Sequence, residues 1–223
     1  DYHCHLPPEE IAENKTWSTI TELWLDGDHY KWRAMRSNGV DENYITGNAN
    51  HWDRFSRWAE TMPELIGNPL YHWNQLELAR YFNIYELLGP SSADHIYSQC
   101  NDRLGEGGLS SRKLIEQSNV KVICTTDDPC DSLEHHEIIN SDDSIKCKVI
   151  PAWRPDKAMM PEKGKDFIAW VETLASASDK EINGFDDFTE ALYSRHQFFH
   201  DKGCRLSDHG IETFYAEDYT ESE

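Results

Sequence analysis

The chain has 223 residues, 38% hydrophobic and 12% aromatic, which is enough apolar material for a buried core and excludes a disordered chain. Its 41 acidic residues outnumber 21 basic ones, and the formal net charge of −20 repels phosphate backbones and anionic lipid, arguing against nucleic acid and membrane surfaces as partners. No apolar run reaches the roughly eighteen residues of a membrane span, no basic-then-apolar signal pattern opens the sequence, and six cysteines lie scattered without the spacing of a secreted disulfide framework, so a reduced, cytoplasmic setting is expected.

Residues 1–6 read as a short strand that ends abruptly at Pro7-Pro8. Successive side chains on a strand face opposite ways, so His3 and His5 project together and Cys4 points away. Two imidazoles on one strand end supply half of a tetrahedral site for zinc or a similar divalent ion; the plainer alternative is polar surface. A chain that opens in mid-strand is expected to be a piece of a longer protein.

The stretch 7–119 is too long for one crossover helix and is expected to form a helical subdomain. Apolar residues recur at helical intervals over 14–25, 50–62, 73–82 and 92–104, with Gly67-Asn68-Pro69 and Leu88-Gly89-Pro90 as punctuation. Ser91 or Ser92 can cap the last helix, and 105–108 follows it as a loop. Most Trp and Tyr here are expected in the core. One segment differs: 26–36 gathers His29, Tyr30, Lys31, Arg33 and Arg36 on a helix capped by Asp26 or Asp28. A basic solvated face explains it in isolation. In so acidic a chain, local positive charge is also well placed to receive an anionic substrate.

Three further strands are expected at 120–126, 147–153 and 203–207, delivering Asp127-Asp128-Pro129, Arg154-Pro155-Asp156 and Asp208-His209-Gly210 at their exits. Helical patterns at 166–176 and 185–202 fall between the last two of these strands. Strand, helix, strand with polar residues at each exit is the pattern of parallel β/α units whose site gathers at the carboxyl ends of the strands, so the fold class is α/β. Asp127 and Asp128 fit a turn or cap as readily as a catalytic role, and His209 is open in the same way. His135, His136, His51, His72, His95, His196 and His200 read as structural or surface groups. No internal repeat is present, and 217–223 forms an acidic tail.

Taken together, Asp1-Tyr2-His3-Cys4-His5-Leu6-Pro7-Pro8, Asp28-His29-Tyr30-Lys31-Trp32-Arg33-Ala34-Met35-Arg36, Gly67-Asn68-Pro69-Leu70-Tyr71-His72-Trp73, Thr125-Thr126-Asp127-Asp128-Pro129, Trp153-Arg154-Pro155-Asp156-Lys157-Ala158 and Ser207-Asp208-His209 resemble, in order, the motifs of uronate isomerases, a divergent branch of the amidohydrolase superfamily. The resemblance implies a (β/α)8 barrel of the TIM type, here incomplete and holding about the first four strands, with the helical subdomain at 7–119 inserted after the first. It implies a divalent metal, normally zinc, on His3 and His5; catalytic roles for His29, Tyr30 and Asp208; and a substrate contact from Arg154, to which the local positive charge of 26–36 adds Arg33 and Arg36 as substrate-binding candidates. The implied substrate is a small sugar acid, an aldose uronate interconverted with its ketose, and a homo-oligomer is compatible with it. The aspartate of the family's Asp-Ser-Arg motif, which completes the metal site, has no counterpart in this chain.

The residues suit that chemistry. Moving a hydrogen between adjacent carbons through an enediol needs a base, here Tyr30 if Arg33, Arg36 or another cation lowers its phenol pKa. It needs an electrophile for the enediolate, which a metal on His3 and His5 would supply. It also needs a cation for the uronate carboxylate, for which Arg154 offers a bidentate fork. His29 could open the sugar ring or shuttle protons. Two rival readings are a metal-dependent hydrolase of the same superfamily, separable by its metal count, and an inactive fragment or acidic interaction module.

Overall fold

A computed structural model describes residues 1–105, 107–210 and 220; apart from Thr220, the acidic tail at 217–223 lies outside the described residues. Along the chain come α1 (Pro8–Ala12), α2 (Ile20–Leu25), α3 (His29–Ser37), α4 (His51–Thr61), α5 (Pro69–Glu77), α6 (Ala93–Gly105) and α7 (Ser111–Gln117), then β1 (Val122–Cys124), α8 (Glu134–Ser141), β2 (Lys148–Ile150), α9 (Lys165–Ser178) and α10 (Phe185–Asp201). These elements fall into two compact units, Asn14–Asn119 and Asp1–Glu13 with Val120–Glu223. The helical unit therefore starts later than the residue 7 expected from sequence, because α1 packs against α8 in the other unit.

The helical unit is organised by its caps. Side chains of Thr19, Asp28, Asn50, Asn68 and Ser110 each accept a backbone N–H from the first turn of α2, α3, α4, α5 and α7, satisfying donors that a helix start leaves without partners. Thr19 explains why the helix expected over 14–25 forms only from Ile20. The preceding residues turn through Asn14, whose φ of 55° is left-handed, and Ser18 binds the Glu22 carboxylate with both its N–H and its hydroxyl. Asn68 and Pro69 start α5 four residues before the expected helix at 73–82. After Glu77 the chain widens into a π-turn, Leu78–Phe82, and leaves it at left-handed Asn83.

This unit's core holds Ile20, Trp24, Met35, Ile45, Phe55, Trp58, Met62, Leu78, Ile96, Cys100 and Leu104. Phe55 packs between Trp24 and Tyr97, with ring centroids 6.3 and 5.1 Å away. Trp58 is fully enclosed, and its indole N–H donates to Asn74 Oδ1 at 2.7 Å, so the aromatic residues are packing elements whose polar edges are satisfied.

The second unit is built on parallel strands. β1 pairs with β2 in the register Val122–Lys148, Ile123–Val149, Cys124–Ile150. The pairing continues as isolated bridges from Asp127 to Trp153 and from Trp153 to Ser207. Four strands were expected and two regular ones form among the described residues; the outer two segments are attached differently. At the amino end, Cys124 donates to Asp1 O at 3.0 Å and accepts from Cys4 N at 3.2 Å. A regular parallel ladder spans two residues in that step, and here it spans three, so one extra residue interrupts the ladder in the manner of a bulge. At the other end, α10 closes with Gly203 at φ +100°. Cys204 N–H returns to Phe199 O and Gly203 N–H to His200 O, the paired bonds of a Schellman ending that turn the chain back toward the sheet. Only Ser207 then reaches bridge geometry, with Trp153 N–H donating to Leu206 O and Asp208 N–H to Trp153 O. Side by side, the order is 1–4, 122–127, 148–154, 206–208, and all four run the same way. Helices α9 and α10 pack on one another through Trp170, Leu174 and Ala191.

Candidate functional site

The amino-terminal segment presents its two histidines as alternation predicts. Cys4 is buried, its N–H is held by Cys124 O, and its carbonyl accepts the Thr126 hydroxyl at 2.8 Å. With residue 4 locked inward, residues 3 and 5 emerge on the other side. Their Nε2 atoms lie 3.1 Å apart, and the ring centroids are 4.8 Å apart with planes at 85°. Two imidazole nitrogens bound to one zinc at about 2.0–2.1 Å in a tetrahedral arrangement lie about 3.3 Å apart. The observed spacing and donor type thus fit a divalent ion. His3 Nδ1 is engaged by Asp208 Oδ2, the arrangement in which a carboxylate on one ring nitrogen orients the other toward a metal. The second Asp208 oxygen, Oδ1, is buried without a hydrogen-bond partner among the described residues. Likewise, no group of three or more His, Cys, Asp or Glu among the described residues is arranged around a single ion position; His3 and His5 supply two donors.

Arg154 follows the β2 exit. Its N–H donates to Asp127 O, and its guanidinium Nε donates to Asp156 Oδ2 at 2.8 Å. Asp156 also receives Gly210 N–H at 2.7 Å, and His209 Nδ1 lies 3.3 Å from its other oxygen. Burial works to raise the Asp156 carboxyl, yet the hydrogen bonds from Arg154 and Gly210 hold it below the ordinary carboxylate value. His209 is thereby assigned a place beside Asp156.

The aspartates after β1 resolve into two structural roles. Asp127 is 4% exposed; its Oδ2 accepts the Thr125 hydroxyl at 2.7 Å and Ala152 N–H at 3.1 Å. His136, 2% exposed, places Nε2 2.8 Å from the Thr125 hydroxyl and 3.7 Å from Asp127 Oδ1. Burial pushes the Asp127 carboxyl up and pulls the His136 imidazole down to about 4. Asp128 accepts the Trp170 indole N–H at 2.9 Å and Cys130 N–H at 3.0 Å and pairs with Lys157 at 3.1 Å. In the sequence alone both aspartates fit either role, and Asp156 carries a single signal, an acid two residues after an arginine at a strand exit.

In the helical unit, α3 carries His29, Tyr30, Arg33 and Arg36. Asp28, and not Asp26, is its cap, accepting Tyr30 and Lys31 N–H groups; Asp26 instead pairs with buried Arg54 at 2.8 Å. Lys31 is buried and clamps Asp28 Oδ2 at 2.6 Å, so it belongs to the helix start. Burial opposes ionisation of Asp28, but the Lys31 ammonium keeps its carboxyl below the usual value. His29 and Tyr30 stand exposed with ring centroids 4.3 Å apart, and the Arg33 guanidinium lies 5.7 Å from the Tyr30 ring. Arg36 is committed to Glu42 through Nε at 2.8 Å.

The family model for glucuronate isomerase matches residues 1–223. The chain belongs to the glucuronate isomerase family. It is 53% identical over 224 residues to a uronate isomerase of Cellvibrio japonicus and 52% identical to one of Bacteroides thetaiotaomicron, in each case covering 100% of this chain and 48% of the relative. Among solved structures, uronate isomerase from Thermotoga maritima superposes with a TM-score of 0.88 at 35% identity over 94% of this chain and 46% of that one. Glucuronate isomerase from Caulobacter crescentus gives 0.89 at 26% identity, over 99% and 47%. The chain thus spans about half the length of the glucuronate isomerase family members it matches. No helix of the described residues is long and apolar enough to cross a membrane.

Proposed function

We propose that these residues contribute to an aldose-ketose isomerase acting on hexuronates, D-glucuronate to D-fructuronate and D-galacturonate to D-tagaturonate, within a (β/α)8 barrel to which the four parallel segments belong. The observation that carries the reading is the convergence of His3 and His5 Nε2 to 3.1 Å at the end of one such segment, with Asp208 from another on His3, in a chain of this family. Polar groups collected at the carboxyl ends of parallel strands are where barrels of this type do their chemistry.

His3 and His5 would hold a divalent ion, normally zinc, which when bound polarises a substrate oxygen and stabilises developing enediolate charge. Asp208 acts through His3, fixing the ring so that Nε2 faces outward. Arg154 receives the uronate carboxylate with its terminal nitrogens. Tyr30 removes the proton from the carbon beside the carbonyl and returns it to the neighbouring carbon; the Arg33 guanidinium beside its ring offers the anionic substrate a cation, and Arg36 adds a second although it is already paired with Glu42. His29, stacked beside Tyr30, moves protons between substrate oxygens. A cytoplasmic setting accompanies this reading, since all six cysteines are free thiols, and the net charge of −20 favours neither nucleic acid nor anionic membranes as partners.

The test is to incubate a full-length uronate isomerase carrying these 223 residues with D-glucuronate and follow D-fructuronate by NMR, before and after chelation and metal return. Ketose formation with one ion per site supports the reading. No ketose, or two ions per site with ester or lactone hydrolysis, rejects it in favour of the hydrolase.

A further inference from the structure

Arg154 is held in a way that divides its guanidinium into two edges. Asp156, two residues on, takes Nε at 2.8 Å, while Nη1 and Nη2 make no hydrogen bond or ion pair with a described residue. The same Asp156 oxygen accepts Gly210 N–H at 2.7 Å, and the other lies 3.3 Å from His209 Nδ1. Asp156 thus ties the exit of β2 to the chain leaving the bridge at Ser207. The side chains are largely sheltered, 22% exposed for Arg154 and 15% for Asp156, so the pairing is screened less than a surface ion pair. Gly210 belongs to the same construction: a Cβ there would fall on Arg154 Nη2 and 3.1 Å from Asp156 Oδ2. The absence of a side chain is what lets the guanidinium pass over this backbone.

Resting on the reading of Arg154 as the carboxylate-binding cation, we infer that Asp156 is the positioning residue for uronate recognition, clamping the Nε edge of Arg154 so that its terminal Nη1–Nη2 edge is presented to the sugar-acid carboxylate. A carboxylate recognises a guanidinium bidentately along one edge. An arginine whose other edge is fixed enters that contact with its rotamers already restricted, and the entropy of ordering it is spent in the free protein. Asp156 does not touch the reacting carbons, so its effect belongs in substrate binding.

The experiment compares D156A, D156N, R154M and the double variant D156A/R154M in a full-length uronate isomerase carrying this chain, with D-glucuronate as substrate and far-UV circular dichroism to verify folding. D156A is expected to raise KM about tenfold with kcat changed less than about threefold. D156N keeps an acceptor for Arg154 Nε and Gly210 N–H and should recover at least half of that loss on a logarithmic scale, while the double variant should be no worse than R154M. The Arg154 Nε–H resonance should lose its downfield position in D156A and keep part of it in D156N. Unchanged KM in both Asp156 variants, alongside a large loss in R154M, overturns the positioning role and leaves Arg154 as substrate cation. Unchanged KM in R154M overturns the reading of Arg154 itself. Equal losses in kcat and KM in D156N, with a lowered melting temperature, reduce Asp156 to a structural residue and also overturn the inference. If D156A does not fold, D156N decides by the same criteria.

Discussion

Acidification should destabilise the strand-containing unit through one buried histidine, His136. Its imidazole is 2% exposed, its Nε2 meets the Thr125 hydroxyl and its Nδ1 has no hydrogen-bond partner among the described residues. The folded state therefore holds the neutral ring, with a pKa of about 4, against about 6.5 in an unfolded chain. A depressed histidine costs nothing above the unfolded value; as pH falls below about 6.5 the unfolded chain binds a proton that the folded one refuses, and stability is lost until the folded value is passed. The loss is about 2 kcal/mol at pH 5 and about 3 kcal/mol at pH 4. Asp127 and Asp131, both raised by burial, work the other way, since they take up protons in the folded state first and soften the decline toward the lower end. Neighbouring His135 adds to the depression when charged. Urea denaturation of wild type and H136Q between pH 7 and 4.5, together with amide exchange at Thr125 and Asp127, isolates the histidine, because the carboxylates remain in both proteins. Wild type should lose about 2 kcal/mol more than H136Q between pH 7 and 5. Parallel pH profiles would show that His136 is protonated inside the fold, and the argument from burial would be refuted.

Other expectations follow from the site and from the helical unit. In the full-length isomerase, Y30F should abolish exchange of the substrate's carbon-bound hydrogen with solvent while leaving zinc content intact; retained exchange removes Tyr30 as the base. Asp208→Ala should weaken zinc affinity by about 10–100-fold, measured by competition with a chelator, because His3 loses the carboxylate that fixes its ring. Asp28→Ala removes a cap and leaves buried Lys31 without its 2.6 Å partner, so the chain should lose about 2–4 kcal/mol in urea unfolding, and an Asp26→Ala change should leave α3 capped.

Local rules carried much of the fold. Period-two alternation put His3 and His5 on one side, helical spacing located α4 and α6 to within a residue or so, and polar strand exits placed Arg154 and Asp208 at neighbouring chain ends. What escaped the sequence depended on competition between local signals. Fourteen residues after Val120 lies α8, which starts from Leu133 in a left-handed conformation without a side-chain cap, and nothing in its mixed polar pattern announced it. The first segment failed as a regular strand because one additional residue between Asp1 and Cys4 interrupts its pairing with Cys124, an event that alternation cannot reveal.

The site was less legible, because partner choice among like charges is decided in three dimensions. Asp26 and Asp28 were equivalent caps on paper; Arg54, from α4, claims the first and leaves the second to α3. Lys31 and Arg33 were equivalent cations; burial beside Asp28 removes Lys31 from any substrate role, while Arg33 remains near Tyr30. Asp127, Asp128 and Asp156 were similar acids at strand exits. The first is enclosed with Thr125 and His136, the second bonds Trp170, and only the third addresses an arginine side chain. A charged residue's function in this chain is thus set by which neighbour has already neutralised it. For that reason Arg154 is the proposed cation whose terminal edge no partner among the described residues occupies, Asp156 having taken Nε, whereas Arg36 of the same proposed set is already paired with Glu42.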